Sequence, residues 1–193
     1  MAGKAKFLAI GNSYTSHGTA DDVWWASGIG MAASVDSTQY TQQIANAAKA
    51  EITKGNYVNF EINYSPEYDF EKNIPIDSND YDLVIVQLFE NAAYKDSMTE
   101  SWESLYDYIK SKCSNAVIVQ LVGWYEESKY KAISKAANNK GVTILDCSDV
   151  TGIGKNELND YTTGDDGNYH KIVNSGVAAH PSDIGFYHIA KKY

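Results

Sequence analysis

The fold is decided by the stretch Phe7-Leu8-Ala9-Ile10-Gly11-Asn12-Ser13-Tyr14-Thr15, in which a short apolar segment runs directly into Gly-Asn-Ser. The apolar residues predict a buried β-strand over Phe7–Ile10. A strand that ends in Gly-x-Ser places the serine on a tight turn at the carboxyl edge of a sheet, where ligands bind in open α/β proteins. Ser13 is therefore either a residue that caps the next segment or a nucleophile that a histidine activates.

Four more apolar segments predict further strands, which are Val58–Ile62, Leu83–Leu88, Ala116–Leu121 and Val142–Leu145. Three of the five segments are near-continuous aliphatic runs, which are typical of strands that are covered on both faces. Apolar residues at helical spacing predict helices between them, over Thr38–Lys54, Ser97–Lys112, Lys129–Asn139 and Asp183–Lys192. Ser182 is placed to cap the last of these helices.

Strands that alternate with helices indicate a parallel sheet with right-handed crossovers. The sequence thus predicts an α/β fold, namely a three-layer αβα sandwich with a parallel five-stranded sheet in flavodoxin-like strand order. Residues 1–193 contain no linker, repeat or low-complexity tract, so we predict a single domain. The segment Asp146–Asn174 is rich in Gly, Asn, Asp and Thr, and we predict a long irregular loop there, on the side of the candidate site.

The net charge of −9 and the absence of arginine limit the ligands that the chain can bind. An acidic chain lacks the basic footprint that nucleic acid and anionic membrane surfaces require, so we expect neither as a partner. All 16 basic residues are lysines, so the chain has no bidentate guanidinium clamp for phosphate. It also has no Gly-rich phosphate loop after the first strand and no Cys/His cluster with zinc spacing, so we predict neither a cofactor nor a metal.

Under this topology the carboxyl ends of the strands meet at one edge of the sheet. The residues that follow successive strands there are Ser13, Tyr64, Ser65, Glu90, Asn91 and Trp124. His180 lies in the loop before the last predicted helix. A nucleophile, an amide donor and a histidine thus converge from distant parts of the chain, which is the arrangement that acyl transfer requires.

Three short blocks give the chain a resemblance to a known family. Gly11-Asn12-Ser13 matches the first block, with Asn12 where the commonest form has aspartate. The third and last blocks are matched by Gln87-Leu88-Phe89-Glu90-Asn91 and by His180-Pro181-Ser182-Asp183-Ile184-Gly185. In these blocks the chain resembles the SGNH hydrolases, also called GDSL esterases/lipases, over residues 7–190.

The resemblance implies that Ser13 is the nucleophile and His180 its general base. The oxyanion would be bound by the side-chain amide of Asn91 and the backbone N–H of Ser13, since a donor aimed at the developing charge is worth roughly 3–4 kcal/mol. The family's glycine after the second strand is missing, and the backbone N–H of Tyr64 or Ser65 is expected in its place.

The chain also departs from the family at the acid, which lies three residues before the histidine and is Val177 here. A valine side chain has no polar atom, so it cannot orient an imidazole. We predict a Ser–His dyad in which a backbone carbonyl or a water holds His180 Nδ1. Asp165, Asp166 and Glu90 are the carboxylates that could reach His180 instead.

Trp24, Trp25 and Trp124 are candidates for the rim of a substrate site, because an aromatic face can stack on a sugar, although such residues are more often part of the core. His17 lies four residues after Ser13 and is an alternative base, but neighbours at that helical spacing are usually incidental.

The sequence therefore predicts a serine esterase that hydrolyses small acyl esters, with O-acetyl groups on carbohydrate as the first candidate substrate. The alternative is a non-catalytic carbohydrate-binding or accessory domain on a degenerate SGNH scaffold, which the missing acid motivates. A flavodoxin-like protein that binds a phosphate cofactor is disfavoured, because the first strand lacks a Gly-rich loop.

The first six residues, Met1 to Lys6, lack the apolar core of a signal peptide. We expect an extracellular protein if this domain was cut from a larger secreted enzyme, and a cytoplasmic protein otherwise. The sequence does not specify an oligomeric state.

Overall fold

The computed structural model describes residues 3–124, 129–151, 154, 157 and 160–193. Five strands form a sheet in the order β2-β1-β3-β4-β5, and every neighbouring pair is parallel. The strands are β1 Lys6–Gly11, β2 Glu51–Asn56, β3 Leu83–Gln87, β4 Val117–Val122 and β5 Thr143–Asp146. The predicted flavodoxin-like order is thus confirmed. The order reverses between β1 and β3, and ligands bind outside such a switch point in open α/β sheets.

Helices cover both faces of this sheet. They are α1 Tyr40–Ala48, α2 Val58–Asn63, α3 Phe70–Asn73, α4 Met98–Lys112, α5 Tyr130–Lys140, α6 Ser175–Ala178 and α7 Asp183–Ala190. Successive residues of β1 face opposite layers, as the pleat of a strand requires. Leu8 is buried in one apolar cluster with Trp102 of α4, and Phe7 is buried in another with Ile44 of α1 and Phe186 of α7. The three-layer αβα sandwich is therefore confirmed.

The second strand is the element that the sequence prediction placed wrongly. The strand is Glu51–Asn56, and the predicted strand Val58–Ile62 belongs to helix α2. β2 lies at the edge of the sheet and its residues are only partly covered, so it carries no aliphatic run. Within α2, Phe60 is buried while Ile62 is 59% exposed, because alternate apolar residues do not share a face of a helix.

The predicted helix Thr38–Lys54 was too long for a related reason. Helix α1 ends at Ala48, where Lys49 adopts a left-handed φ of 53° and its N–H bonds back to the carbonyls of Ala45 and Asn46. This left-handed C-cap turns the chain into β2. No glycine marks the turn in the sequence, so the spacing of apolar residues predicted that the helix continues into what is strand β2.

The segment Asp146–Asn174 contains regular structure that the sequence prediction did not include. Strands β6 Tyr161–Thr163 and β7 Tyr169–Lys171 pair as an antiparallel hairpin. Residues 152, 153, 155, 156, 158 and 159 of this segment lie outside the described residues. The hairpin is fastened to the segment after β1, where Thr163 N–H donates to the Ser34 carbonyl at 2.8 Å.

Helix α7 begins as the sequence predicts. The Ser182 hydroxyl accepts the backbone N–H of Gly185 at 3.3 Å, so it caps the helix. Asp183 accepts the backbone N–H of Ser34 at 2.9 Å and the hydroxyl of Thr38 at 2.7 Å. These contacts join the start of α7 to the segment after β1. In the described ranges, no helix is both long enough and apolar enough to cross a membrane.

Candidate active site

The turn after β1 presents Ser13 at the carboxyl edge of the sheet. A Cβ on Gly11 would lie 2.0 Å from Thr15 Oγ1, so only glycine fits where the strand ends. The Gln87 side-chain oxygen accepts the backbone N–H of Asn12 at 3.1 Å and the Thr15 hydroxyl at 2.7 Å. The next strand in the sheet, β3, therefore holds the serine turn in place.

His180 contacts Ser13 directly. Ser13 Oγ lies 2.6 Å from His180 Nε2, and His180 Nδ1 lies 2.8 Å from the Gly176 carbonyl oxygen. Because a carbonyl oxygen can only accept, Nδ1 carries the proton and Nε2 presents its lone pair to the serine hydroxyl. His17, the alternative base, instead places its Nδ1 2.6 Å from the carbonyl of Gly18.

The surroundings of His180 favour the neutral imidazole. Burial lowers the pKa of His180 from its ordinary value of 6.5 to about 4, although hydrogen bonds with the backbone of Gly176 and Val177 act in the opposite direction. At neutral pH the ring is therefore uncharged. This is the form that can accept a proton from a serine hydroxyl.

The three carboxylates that were candidates to orient His180 have other partners. Asp165 accepts a backbone N–H of the segment after the serine turn at 2.8 Å. Asp166 lies 3.0 Å from the histidine of strand β7. Glu90 accepts the side-chain amides of Asn12 and Gln87, at 2.9 and 2.8 Å. None of these contacts reaches His180, so the orienting contact within the described residues is made by a neutral backbone carbonyl.

Asn91 lines the same clefts as Ser13 and His180. It follows β3, and its Nδ2 donates to Glu61 Oε2 at 2.7 Å. Asn91, Ser13 and His180 together line two adjoining clefts of about 500 and 350 Å³. The larger cleft has a mixed lining that includes His17, Asn56, Met31 and Asn174.

Two further candidate oxyanion donors lie away from the clefts. Tyr64 and Ser65 follow helix α2 and not a strand, because the second strand lies earlier in the chain than predicted. The Tyr64 ring is buried and its hydroxyl donates to the Ala93 carbonyl at 2.6 Å. The residues at the carboxyl end of β2 that line the cleft are Asn56, the last residue of the strand, and Val58. The placement of Tyr64 and Ser65 beside Ser13 was therefore wrong.

The predicted aromatic rim is reduced to one residue. Trp25 is buried in a small apolar cluster with Met31 and Val177, and Trp124 is buried in the core between the sheet and α7. The prediction that Trp25 and Trp124 line a substrate rim was wrong, since both rings are needed for packing. Trp24 is 72% exposed and follows Val23, which lines the larger cleft.

The sequence analysis missed the polar network beneath the clefts. Glu61 is fully buried in α2, and its two carboxylate oxygens accept Asn12 Nδ2 at 3.1 and 3.2 Å. The hydroxyl of Tyr14 donates to Glu90 on the far side of the same amide. Burial, together with the neighbouring Glu61, raises the pKa of Glu90 to about 8. A helical interpretation of residues 58–63 would have placed Glu61 on the buried face next to Phe60.

A buried ammonium fixes the loop that carries Asn91. Lys129 precedes α5, and its Nζ donates to the carbonyls of Glu90 and Ala92 at 2.8 and 2.9 Å. Hydrogen bonds from a charged donor are roughly twice as strong as neutral ones. The conformation of residues 90–92 is thus fixed by α5 as well as by β3. Among the described residues, no group of three or more His, Cys, Asp or Glu side chains is placed to hold a metal ion.

Solved structures of several proteins share this architecture. A protein named as a GDSL-like lipase from Bacteroides ovatus superposes with a TM-score of 0.59 at 12% identity, over 98% of this chain and 96% of its own. The chain has the SGNH hydrolase fold. An acetyl xylan esterase from the rumen bacterium Butyrivibrio proteoclasticus has the same fold, with a TM-score of 0.54 at 16% identity over 97% of this chain.

The SGNH fold also occurs in a two-domain esterase active on acetylated mannans, co-crystallised with mannopentaose. It matches with a TM-score of 0.60 at 15% identity over 98% of this chain. This chain spans 61% of the acetyl xylan esterase and 47% of the two-domain esterase. No family model matches the sequence, and no curated protein sequence matches it significantly.

Proposed function

We propose that this protein is a serine esterase that hydrolyses small acyl esters. The observation that carries the proposal is the 2.6 Å contact between Ser13 Oγ and His180 Nε2, made by an imidazole whose proton is held on Nδ1. A serine hydroxyl is a weak nucleophile until an adjacent base takes its proton. The contact supplies such a base, and the adjoining clefts leave room for a substrate beside it.

The reaction would proceed in two halves. Ser13 Oγ attacks the ester carbonyl while His180 Nε2 takes its proton, and the resulting oxyanion accepts hydrogen bonds from the Ser13 backbone N–H and from Asn91 Nδ2. Collapse of this intermediate expels the alcohol, which His180 protonates. Water activated by His180 then releases the acid from the acyl-serine.

The hydrogen bond between His180 and the neutral carbonyl of Gly176 affects the turnover that we expect. The Gly176 carbonyl fixes the tautomer of His180 but stabilises an imidazolium less than a carboxylate does. We therefore expect a lower turnover than a complete triad would give.

O-acetyl groups on carbohydrate are the substrates that we propose within this class. The larger cleft is partly polar, with Asn56, Asn91 and Asn174 in its lining, and amides of this kind bind hydroxyl groups. Trp24 offers an exposed ring near it for a sugar face. The fold is shared with an acetyl xylan esterase and an esterase active on acetylated mannans.

The test is hydrolysis of p-nitrophenyl acetate, followed by acetate release from acetylated xylan and mannan. Wild-type protein is expected to turn over the small ester, and Ser13→Ala is expected to reduce kcat by about 10⁴-fold or more. Ser16→Ala, a serine in the same turn segment, is the matched control. Equal activity of Ser13→Ala and wild type would rule out Ser13 as the nucleophile.

A non-catalytic carbohydrate-binding domain is the second candidate, because Val177 occupies the position of the acid. Titration calorimetry with acetylated and deacetylated manno-oligosaccharides distinguishes the two. Sugar binding that Ser13→Ala leaves unchanged, in a protein without esterase activity, would favour the binding domain.

A further inference from the structure

The fully buried carboxylate of Glu61 lies directly beneath Asn91. Its Oε2 accepts Asn91 Nδ2 at 2.7 Å, and both of its oxygens contact Asn12 Nδ2. Burial raises the pKa of Glu61, while hydrogen bonds from Asn91, Asn12 and the backbone act against that shift. Glu61 therefore joins the turn that carries Ser13 to the loop that carries Asn91.

The Asn91 side chain is exposed, so little packing restrains it. Its amide group has two N–H bonds, and one of them is used by Glu61. The planar geometry of the amide then fixes the direction of the second N–H. A side chain that lines both clefts beside Ser13 is thereby held in one orientation.

We propose that Glu61 is a positioning residue, which holds the Asn91 amide in the orientation that binds the oxyanion. This inference rests on the proposed esterase function. Glu61 touches neither Ser13 nor His180 by any hydrogen bond of the described residues, so it acts through Asn91.

The identity of residue 12 follows from the same network. Asn12 Nδ2 donates to Glu61 and also to Glu90 at 2.9 Å, so one amide group lies between two carboxylates. An aspartate at this position would bring a third carboxylate into a buried site. Like charges at such distances repel strongly where the dielectric is low. Asparagine at this position keeps a third carboxyl group out of the network that holds Glu61 and Glu90.

A charge exchange tests the proposal. In Glu61→Gln, the glutamine oxygen can accept from Asn91 only if its NH₂ group faces the NH₂ group of Asn12. In the opposite orientation the NH₂ group of the glutamine faces the NH₂ group of Asn91. Either orientation therefore places two donors against each other, and Asn91 is no longer held in one position. In the double variant Asn12→Asp/Glu61→Gln, the new aspartate accepts from the glutamine NH₂, whose oxygen again accepts from Asn91. The network again contains two carboxyl groups, and Glu90, which its raised pKa keeps protonated at neutral pH, donates to the new aspartate at position 12.

The expected values follow from the loss of one oxyanion donor, which costs about 10²–10³-fold in kcat. We expect Glu61→Gln to lower kcat for p-nitrophenyl acetate by about 10-fold and Glu61→Ala by about 10²-fold, with KM changed less than about threefold. The Asn12→Asp/Glu61→Gln pair is expected to recover most of the loss. Glu61→Ala combined with Asn91→Ala is expected to be no slower than Asn91→Ala alone, because both changes remove the same interaction.

The exposed glutamate Glu67 supplies the control, since Glu67→Gln removes a carboxylate outside the network. Thermal unfolding of each variant separates a loss of folded protein from a loss of rate. Wild-type kcat in a folded Glu61→Gln variant, or additive losses in the double variant with Asn91→Ala, would overturn the positioning role.

A readout without turnover separates this proposal from the esterase function. The Asn91 side-chain amide gives a pair of resonances in a ¹H–¹⁵N spectrum, which Asn91→Ala identifies. We expect Glu61→Gln to shift or broaden that pair and the exchange with Asn12→Asp to restore it, even in an inactive Ser13→Ala background. An unchanged pair in Glu61→Gln would overturn the inference, whereas an inactive wild type with a sensitive pair would overturn the proposed function alone.

Discussion

The histidine side and the asparagine side of Ser13 differ in where they place carboxyl groups. On the histidine side, the residue that orients the imidazole is the neutral carbonyl of Gly176. On the asparagine side, two carboxylates, Glu61 and Glu90, surround the amide of Asn12. Within the described residues no carboxylate contacts His180, whereas two carboxyl groups lie behind the proposed oxyanion donor. Under the proposed function, a base oriented by a neutral carbonyl is thus paired with an amide donor that a buried network holds in place.

The largest effect is expected where the two sides meet. Ser13→Ala and His180→Ala each remove the same proton transfer, so each is expected to lower kcat by about 10⁴-fold or more, and the double variant no further. Steady-state kinetics with p-nitrophenyl acetate measure this. Additive losses would mean that the two residues act separately, against the 2.6 Å contact.

Asn91→Ala tests the donor side and is expected to reduce kcat by about 10²–10³-fold, with a modest loss of stability because the buried Glu61 loses one donor. The side chain is exposed, so its loss removes little packing. Kinetics and thermal unfolding on the same preparation separate the two effects. An unaltered kcat would assign the oxyanion to backbone donors alone.

The histidine side predicts an unusual tolerance of acid. Because burial lowers the pKa of His180 to about 4, the base remains neutral well below its ordinary value of 6.5. We expect kcat/KM to remain at more than half of its maximum at pH 5.5, and its acid limb to lie near the lowered value. A midpoint at or above 6.5 would show that a carboxylate orients the base in solution.

The two sides are also expected to respond to pH with opposite signs in stability. The folded-state pKa of His180 is lowered, so its contribution is present above 6.5 and is lost as pH falls towards 4. The folded-state pKa of Glu90 is raised from 4.5 to about 8, so its contribution is present below 4.5 and is lost as pH rises through that window. Glu90→Gln is expected to flatten the decrease in melting temperature between pH 5 and 8. Parallel curves for the variant and the wild type would contradict this.

The smallest effect is expected from the hairpin carboxylates. Asp165→Asn with Asp166→Asn is expected to change kcat by less than about twofold, since their hydrogen bonds go to Gly28 and His170. A pH–rate profile of the double variant is the measurement. A large loss would show that one of them swings onto His180 and that the neutral carbonyl is not the orienting group.

The sequence predicted the interior of the sheet better than its β2 edge. The interior strands β1, β3 and β4 are marked by aliphatic runs, as strands covered on both faces require, and the short segment Val142–Leu145 was enough to locate β5 at the other edge. Edge strand β2, Glu51–Asn56, has no such run. The alternating apolar residues of Val58–Ile62 were instead interpreted as a strand, although they belong to helix α2. This single error displaced Tyr64 and Ser65 from their true positions.

For the candidate site, local motifs were sufficient where a residue follows a strand or precedes a helix. Ser13, Asn91 and His180 fall in that class, and the structure brings all three to one pair of clefts. Glu61 could not be found in this way, because its role depends on which residues the buried face of α2 meets. Trp25 and Trp124 were placed on the rim because aromatic residue type does not distinguish a binding face from core packing.

The ammonium of Lys129 has a consequence for motion. It is buried and bonded to the carbonyls at both ends of the short segment Glu90-Asn91-Ala92. That segment can open only if the lysine leaves its carbonyls or the start of α5 moves with it. Local unfolding in proteins proceeds in such contiguous units. We therefore expect the amide hydrogens of this loop and of the first turn of α5 to exchange with solvent at a common rate, so that the donor side of Ser13 opens and closes as one body.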